Sequence, residues 1–235
     1  MNKSNPNDTK FYQSVMLMVC FCFSAALISC NKESAPVDVG YDYFPAYEGK
    51  WMHYDVDSTV WDDFTSQTYY YHSQILEIIE SAFIDGEGNH AFRIERYYRS
   101  SDTTEWIIKD VWFANIKPSS AEVVEENVRF IKLCFPVKNN YKWDGNALNF
   151  LNDENYIFKQ VHEPLSIGNQ FYDSTLTVEQ SNNINLIEED IRYENYAKHI
   201  GMIKKYIKKV TKNIAQPDVI ISGVLVEYNL RNYGQ

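Results

Sequence analysis

The sequence has few of the residues that mark catalytic and metal-binding proteins. Its 235 residues include only four cysteines, five histidines and nine glycines. It contains no phosphate-binding loop, dinucleotide-binding glycine pattern, Gly-x-Ser-x-Gly elbow or His-Glu-x-x-His zinc motif. With a net charge of −10, the chain also lacks the basic surface that a nucleic-acid-binding protein needs. The sequence therefore indicates no catalytic residue, no metal, no cofactor and no nucleic-acid partner.

A hydrophobic run long enough for a membrane-spanning helix is also missing. The longest run, Val15–Ile28, has 14 residues, whereas a spanning helix needs about 20. Its length and its basic leader suit a signal peptide. The run ends in Leu27-Ile28-Ser29-Cys30, which resembles a bacterial lipobox, and this resemblance implies cleavage before Cys30 and attachment of lipid to its thiol. We expect residues 1–29 to be a lipoprotein signal peptide; an ordinary signal peptide and an uncleaved anchor are the alternatives.

Lipid on Cys30 would hold the mature protein on a membrane. One acyl chain binds only marginally, but each buried methylene contributes about 0.8 kcal/mol, so several chains make release negligible. Asn31 follows the lipidated residue, and by analogy with enterobacterial lipoproteins the absence of Asp there favours the outer membrane. The acidic cluster that directs Bacteroidetes lipoproteins to the cell surface is reduced to Lys32-Glu33. We therefore expect the periplasmic face rather than the cell surface.

The rest of the chain is rich in aromatic and β-branched residues. Aromatic residues make up 15% of the sequence, which favours pleated sheet over a helical bundle. Segments of this composition alternate with turn residues, as in Asp85-Gly86-Glu87-Gly88-Asn89, which is typical of a hairpin turn. The sequence predicts a polar tether over residues 30–42 and one mainly β, antiparallel domain over residues 43–235.

The lysine-rich segment Ile200–Lys212 fits two structures. Its apolar residues fall at helical spacing, so a basic amphipathic helix on a membrane is one interpretation. Its β-branched residues and its neighbours favour a strand, and lysines protect an edge strand from aggregation. We expect a strand at the edge of the sheet.

Several short motifs resemble those of a group of uncharacterised Bacteroidetes lipoproteins. The resemblance covers most of the mature chain and implies an antiparallel sheet curled as a barrel or half-barrel, without implying a chemistry. The motifs are Tyr43-Phe44-Pro45, Gly49-Lys50-Trp51, Tyr54-Asp55-Val56-Asp57-Ser58, Phe135-Pro136-Val137, Trp143-Asp144-Gly145-Asn146 and Tyr196-Ala197-Lys198-His199-Ile200-Gly201-Met202-Ile203.

Other candidate sites carry weaker signals. Three Asp-Ser/Thr-Thr triplets resemble the Bacteroidetes O-glycosylation motif and mark Ser58, Thr103 and Ser174 as candidate acceptors. The alternating oxygens after Asp85 resemble the start of a calcium loop, but the closing glutamate is missing. Cys134 stands in an apolar segment, so we expect a small buried residue rather than a catalytic thiol.

These features favour a membrane-anchored cell-envelope lipoprotein that is non-catalytic and binds a ligand or a protein partner. The alternative is an envelope hydrolase acting on glycan or lipid, which would need a deep cleft with two converging carboxylates. A third interpretation is a surface-exposed accessory lipoprotein for nutrient uptake. The sequence does not name the ligand or partner.

Overall fold

The structure, a computed structural model, describes residues 38–235; the predicted signal peptide, Cys30 and most of the predicted tether lie outside the described residues. Within residues 38–235 there is no helix with the length and hydrophobicity to cross a membrane. These residues form one short 3-10 helix, Tyr41–Tyr43, and twelve strands: β1 Trp51–Asp62, β2 Gln67–Ile84, β3 His90–Arg99, β4 Ile107–Ile116, β5 Ser120–Glu125, β6 Val128–Cys134, β7 Lys142–Asp144, β8 Asn155–Ile167, β9 Gln170–Ile184, β10 Glu188–Ala197, β11 Gly201–Lys212 and β12 Ile220–Gly234.

The twelve strands form one antiparallel sheet in the order β6-β5-β4-β3-β2-β1-β12-β11-β10-β9-β8-β7. Each strand pairs with the next in sequence except at the β6–β7 link, and β1 pairs with β12, so the first and last strands lie in the middle. Tight turns make this meander possible. In the β2–β3 turn, Asp85 Oδ1 accepts hydrogen bonds from the backbone amides of Glu87 and Asn89 at 2.9 and 2.8 Å.

The two edge strands, β6 and β7, come together on the other side of the molecule. The amide of Ile131 donates to the carbonyl of Gly145 at 3.0 Å, and Trp143 Nε1 donates to the carbonyl of Ile131 at 2.9 Å. These bonds occupy edge groups that would otherwise be free to pair with another chain. The sheet is thus nearly closed into a barrel, which confirms the expected fold class.

The core forms two clusters along the inside of the sheet. One is aromatic and is built around Tyr43, Trp143 and Phe158. The other contains Tyr54 and Ile203, both of them fully buried. Aromatic and β-branched side chains pack well on a pleated surface, so the composition that favoured a sheet also fills its interior.

The compact unit begins at Val39, ahead of the domain start at residue 43 that the sequence predicts. Val39 packs against the aromatic cluster, and its carbonyl accepts a hydrogen bond from the amide of Val137 at 3.0 Å. Tyr43 is fully buried. The polar composition of this segment gave no sign of these contacts.

The lysine-rich segment is strand β11, as predicted, but the prediction of an edge position was wrong. Strand β11 pairs with β10 on one side and with β12 on the other. Lysines are stable there because carboxylates on the neighbouring strands neutralise them. Four of them lie within ion-pair distance of such groups: Lys204 of Glu227, Lys205 of Glu194, and Lys208 and Lys212 of Glu189.

Candidate functional site

The inside of the sheet lines a cavity of about 330 Å³ that is partly open to solvent. Ligand sites in proteins occupy about 300–1,000 Å³, so the cavity has room for a small molecule. Its apolar lining includes Phe44, Met52, Ile79, Ile94, Trp112 and Met202. Its charged lining consists of Lys50, Glu77, Arg96, Lys109, Glu125, Glu126, Lys132, Glu194 and Lys205.

The register of β1 to β4 explains which side chains of the wall lie beside one another. Met52, Glu77 and Arg96 lie opposite one another on the first three strands. In the neighbouring layer Ile79, Ile94 and Trp112 are aligned in the same way on β2, β3 and β4. Directly opposite residues in antiparallel strands point to the same face. Each layer therefore contributes one band of the cavity wall.

Arg96, a cation of the wall, is paired with two carboxylates. Its Nε donates to Glu77 Oε1 at 2.9 Å, and one of its terminal nitrogens donates to Asp110 Oδ2 at 3.0 Å. The guanidinium also lies 3.5 Å from the centre of the Trp112 ring, which is a cation–π contact. Burial lowers the pKa of Arg96, but Glu77 and Tyr228 together outweigh burial and raise it overall.

Lys132 and Glu194 form a buried ion pair across the interior. Lys132 Nζ lies 2.8 Å from Glu194 Oε1 and 3.1 Å from Glu125 Oε1. Lys205 Nζ lies 3.4 Å from the same oxygen of Glu194, and the Tyr196 hydroxyl donates to the other oxygen at 2.7 Å. The strands of Lys132 and Glu194, β6 and β10, belong to opposite halves of the sheet. This pair therefore holds the two halves together.

The pKa values in this cluster follow from the same contacts. Burial raises the pKa of Glu194, but Lys132 and Lys205 outweigh burial and bring it to about 2. Burial also opposes ionisation of Glu125, and again the two lysines lower its pKa. Burial lowers the pKa of Lys132, yet Glu125 and Glu194 raise it overall. All three groups are ionised at neutral pH.

Lys50 lines the same cavity, but its surroundings differ from those of Lys132. It precedes β1, and its carbonyl accepts a hydrogen bond from the amide of Ile79 at 2.8 Å. The residue is 2% exposed. Among residues 38–235 no side chain forms a hydrogen bond or an ion pair with its ammonium, and the ring centre of Tyr47 lies 5.6 Å away. Burial lowers the pKa of Lys50.

The chemistry of the wall suits binding better than acid–base catalysis. A general acid needs a pKa near the working pH, whereas Glu125 and Glu194 have lowered pKa values and are bound to Lys132. Glu125 and Glu194 are therefore neutralised by cations rather than poised to transfer a proton.

The predicted modification sites lie apart from the cavity lining. Ser58 is half-buried in the middle of β1, and Thr103 is exposed in the β3–β4 turn. Ser174 is half-buried in β9, with its Oγ 3.0 Å from the Tyr43 hydroxyl. Cys30, the predicted lipidation site, lies outside the described residues.

The structure also describes the surroundings of Asp85 and Cys134, two weaker candidates from the sequence. Asp85 belongs to the β2–β3 turn, where backbone hydrogen bonds from Asn89 lower the pKa of its carboxyl. No group of three or more His, Cys, Asp or Glu side chains within residues 38–235 is arranged to hold a metal ion. Cys134 is half-buried against the aromatic cluster rather than fully buried, and burial raises the pKa of its thiol to about 11.

Sequence reasoning did not identify the cavity residues. No local pattern marks Lys132 and Glu194, which pair in the wall, because they are separated by 62 positions. The one local signal was Lys50 in the motif Gly49-Lys50-Trp51, a lysine at the start of an aromatic strand. That signal does not distinguish a surface lysine from an inward one.

Comparison with known proteins adds little to this description. No protein-family model matches the sequence, and no curated protein matches it. Among solved structures the chain resembles a Bacteroides fragilis protein described as exported and as having a YmcC-like fold. The two chains are 10% identical, with a TM-score of 0.44 over 82% of this chain and 98% of the other.

Proposed function

We propose that this protein is a membrane-anchored cell-envelope lipoprotein whose cavity binds a small amphipathic ligand. The observation that carries the proposal is the 330 Å³ space whose wall combines apolar side chains with charged ones. Such pockets typically combine hydrophobic contact area with a few polar groups that orient the ligand. Binding also agrees with a wall in which Lys132 and Lys205 neutralise Glu125 and Glu194, and this is why we favour it over the hydrolase.

The anchoring half of the proposal rests on the sequence. Cys30 at the end of the lipobox would carry the acyl chains, and the group of Bacteroidetes lipoproteins with similar motifs supports the same assignment. Asn31 and the thin acidic cluster favour the outer membrane and its periplasmic face. The body has little electrostatic attraction to an anionic bilayer, because the chain carries a net charge of −10. The lipid would therefore supply the attachment.

Anchoring is tested by replacing the lipidated residue. We expect Cys30→Ala to leave the protein either unprocessed or soluble, because the thioether cannot form. Fractionation of cells expressing each version, followed by mass spectrometry of the N-terminal peptide, measures this. Cys134→Ala is the matched control and should fractionate like the unchanged protein. Normal processing and membrane association of Cys30→Ala would contradict the proposal.

Ligand binding is tested with methionines as reporters. The chain has five methionines, and three of them lie in residues 1–29; the other two, Met52 and Met202, both line the cavity. Methyl NMR of full-length protein labelled on methionine and held in lipid nanodiscs therefore observes the site directly. Octanol, a neutral probe, should shift both cavity methyl signals in a saturable way.

A filled cavity gives the control for this experiment. Ile94→Trp should occupy the space and abolish the octanol shifts, at a cost of about 1–3 kcal/mol for overpacking. Ile107→Trp places the same side chain on an exposed position of β4 and should leave the shifts unchanged. If octanol shifts neither methyl signal in the unchanged protein, or shifts both equally in Ile94→Trp, the cavity is not the binding site.

A further inference from the structure

We propose that Lys50 binds the acidic headgroup of the cavity's ligand, an amphipathic molecule with a single carboxylate or phosphate and a short apolar tail. This inference rests on the proposed function of the cavity and adds the chemical class of its ligand. It follows from the charges of the wall, the burial of Lys50 and the side chains around it.

One of the cations that line the cavity has no carboxylate partner among the described residues. Among the described residues five cations line the cavity, and four of them have acidic partners within 3.4 Å: Arg96, Lys109, Lys132 and Lys205. Lys50 is the fifth and has none. A ligand that enters with a negative charge would therefore find one uncompensated positive group.

Three of the four glutamates of the wall are paired with cations. Glu77, Glu125 and Glu194 pair with Arg96 and Lys132. Glu126 accepts a hydrogen bond from the indole nitrogen of Trp112 at 3.3 Å. Among the described residues no carboxylate of the wall therefore lies within ion-pair distance of Lys50.

Burial makes an unpaired ammonium unfavourable for the folded protein. A buried ammonium is unfavourable unless it is paired and hydrogen-bonded, yet Lys50 is 2% exposed in the wall of a space large enough for a ligand. The pKa of Lys50 is lowered by burial, and no neighbouring anion offsets this. A residue that destabilises the empty protein and stabilises the occupied one is what an anchor for an anion requires.

The surroundings of Lys50 define the rest of the ligand. Ile79 lies opposite it on β2, Ile94 follows on β3, and Phe44, Met52 and Met202 complete the apolar lining. These side chains offer contact area to a hydrocarbon tail but no hydrogen bonds beyond the weak acceptor of methionine sulfur. The ligand should therefore be acidic at one end and apolar over the remainder.

The test uses the methionine reporters with three probes of equal tail length: octanoate, octyl phosphate and octanol. At pH 7 we expect at least one of the anions to bind about tenfold or more tightly than octanol, as a charge-assisted hydrogen bond implies. The tighter of the two anions identifies whether the ligand carries a carboxylate or a phosphate. Equal affinities of octanol and both anions in the unchanged protein would overturn the inference, and this comparison needs no variant.

Three variants assign the effect to Lys50. Lys50→Leu should remove the preference for anions while octanol binds as before, and Lys50→Arg should keep the preference because it keeps the charge. Lys109→Leu is the matched control, since Lys109 lines the same cavity but is half-exposed and paired with Asp110 at 3.0 Å; its preference should remain. Unchanged anion binding by Lys50→Leu would overturn the assignment.

The outcomes also separate this inference from the function on which it rests. If no probe shifts Met52 or Met202, the cavity binds no small amphipathic molecule and both proposals fail. If octanol shifts both methyl signals and the anions bind no more tightly, the cavity is a binding site and only the role of Lys50 is wrong.

Discussion

Lys132 and Lys50 are two lysines buried in one cavity wall, 7% and 2% exposed respectively, but their surroundings differ. The ammonium of Lys132 lies between two carboxylates, whereas none pairs with Lys50 among the described residues. As a result burial is outweighed at Lys132, whose pKa is raised, and prevails at Lys50, whose pKa is lowered. The comparison teaches that partners, rather than burial, decide whether an interior charge supports the fold.

The largest effect should come from removing the paired lysine. Lys132→Leu leaves Glu194, which is 0% exposed, without its closest cation. Breaking a buried ion pair on one side typically costs about 3–5 kcal/mol. We expect the free energy of unfolding in urea to fall by about that amount.

A double variant distinguishes lost pairing from lost packing. Lys132→Leu combined with Glu194→Leu removes both charges and should be much less destabilising than the sum of the two single changes. An additive result, or a loss below about 1 kcal/mol for Lys132→Leu alone, would mean that the pair behaves like an exposed one and would break the comparison.

Acid should weaken the same pair. The pKa of Glu194 is about 2 in the folded protein, against an ordinary value of 4.5. Its contribution is therefore complete above pH 4.5 and is lost as the pH falls towards 2. The contribution is roughly 3 kcal/mol, and the pH dependence of the unfolding free energy measures it. The double variant that lacks Glu194 should show a shallower loss between pH 5 and 2; an identical loss would assign the acid sensitivity to other groups.

The strand pattern predicted much of the fold, because aromatic and β-branched segments separated by turns require little more than a sheet to bury them. The pattern did not predict which side chains line the inside of that sheet. A strand with charges on one face is normally solvated on that face, so the sequence alone does not show that Lys205 lines the interior. Its partner Glu194 lies directly opposite on β10. Only the register brings the two together, and register depends on pairing across the whole sheet.

The unpaired lysine should respond in the opposite direction to Lys132. We expect Lys50→Leu to raise the free energy of unfolding by about 1 kcal/mol, because it removes an uncompensated buried charge. The sign of the pH dependence follows from the lowered pKa. The penalty of Lys50 is complete below its folded-state pKa and declines as the pH rises towards 10.5, the ordinary value.

The advantage of Lys50→Leu over the unchanged protein should therefore shrink at alkaline pH. Thermal unfolding of both proteins from pH 7 to 10 measures this, with Lys109→Leu as the control for loss of a paired lysine. A destabilised Lys50→Leu variant would show that Lys50 supports the fold as Lys132 does, and the contrast between the two residues would disappear.

Cys134 extends the comparison to a half-buried acid whose pKa is shifted by burial alone. Its labelling by a reagent should give the smallest effect of the series. Burial is the one cause of its raised pKa, about 11 against an ordinary 9.0, just as burial alone lowers the pKa of Lys50. Thiolate is the reactive form of cysteine, and two pKa units reduce its fraction about a hundredfold at pH 8. We expect iodoacetamide to label Cys134 far more slowly in folded protein than in urea, as measured by mass spectrometry of its peptide.

The pH profile separates electrostatics from steric shielding: a shifted pKa moves the rise in rate from pH 9 towards 11, whereas shielding lowers the rate without moving it. A folded-state profile centred near pH 9 would contradict the prediction and would remove the acid counterpart of Lys50.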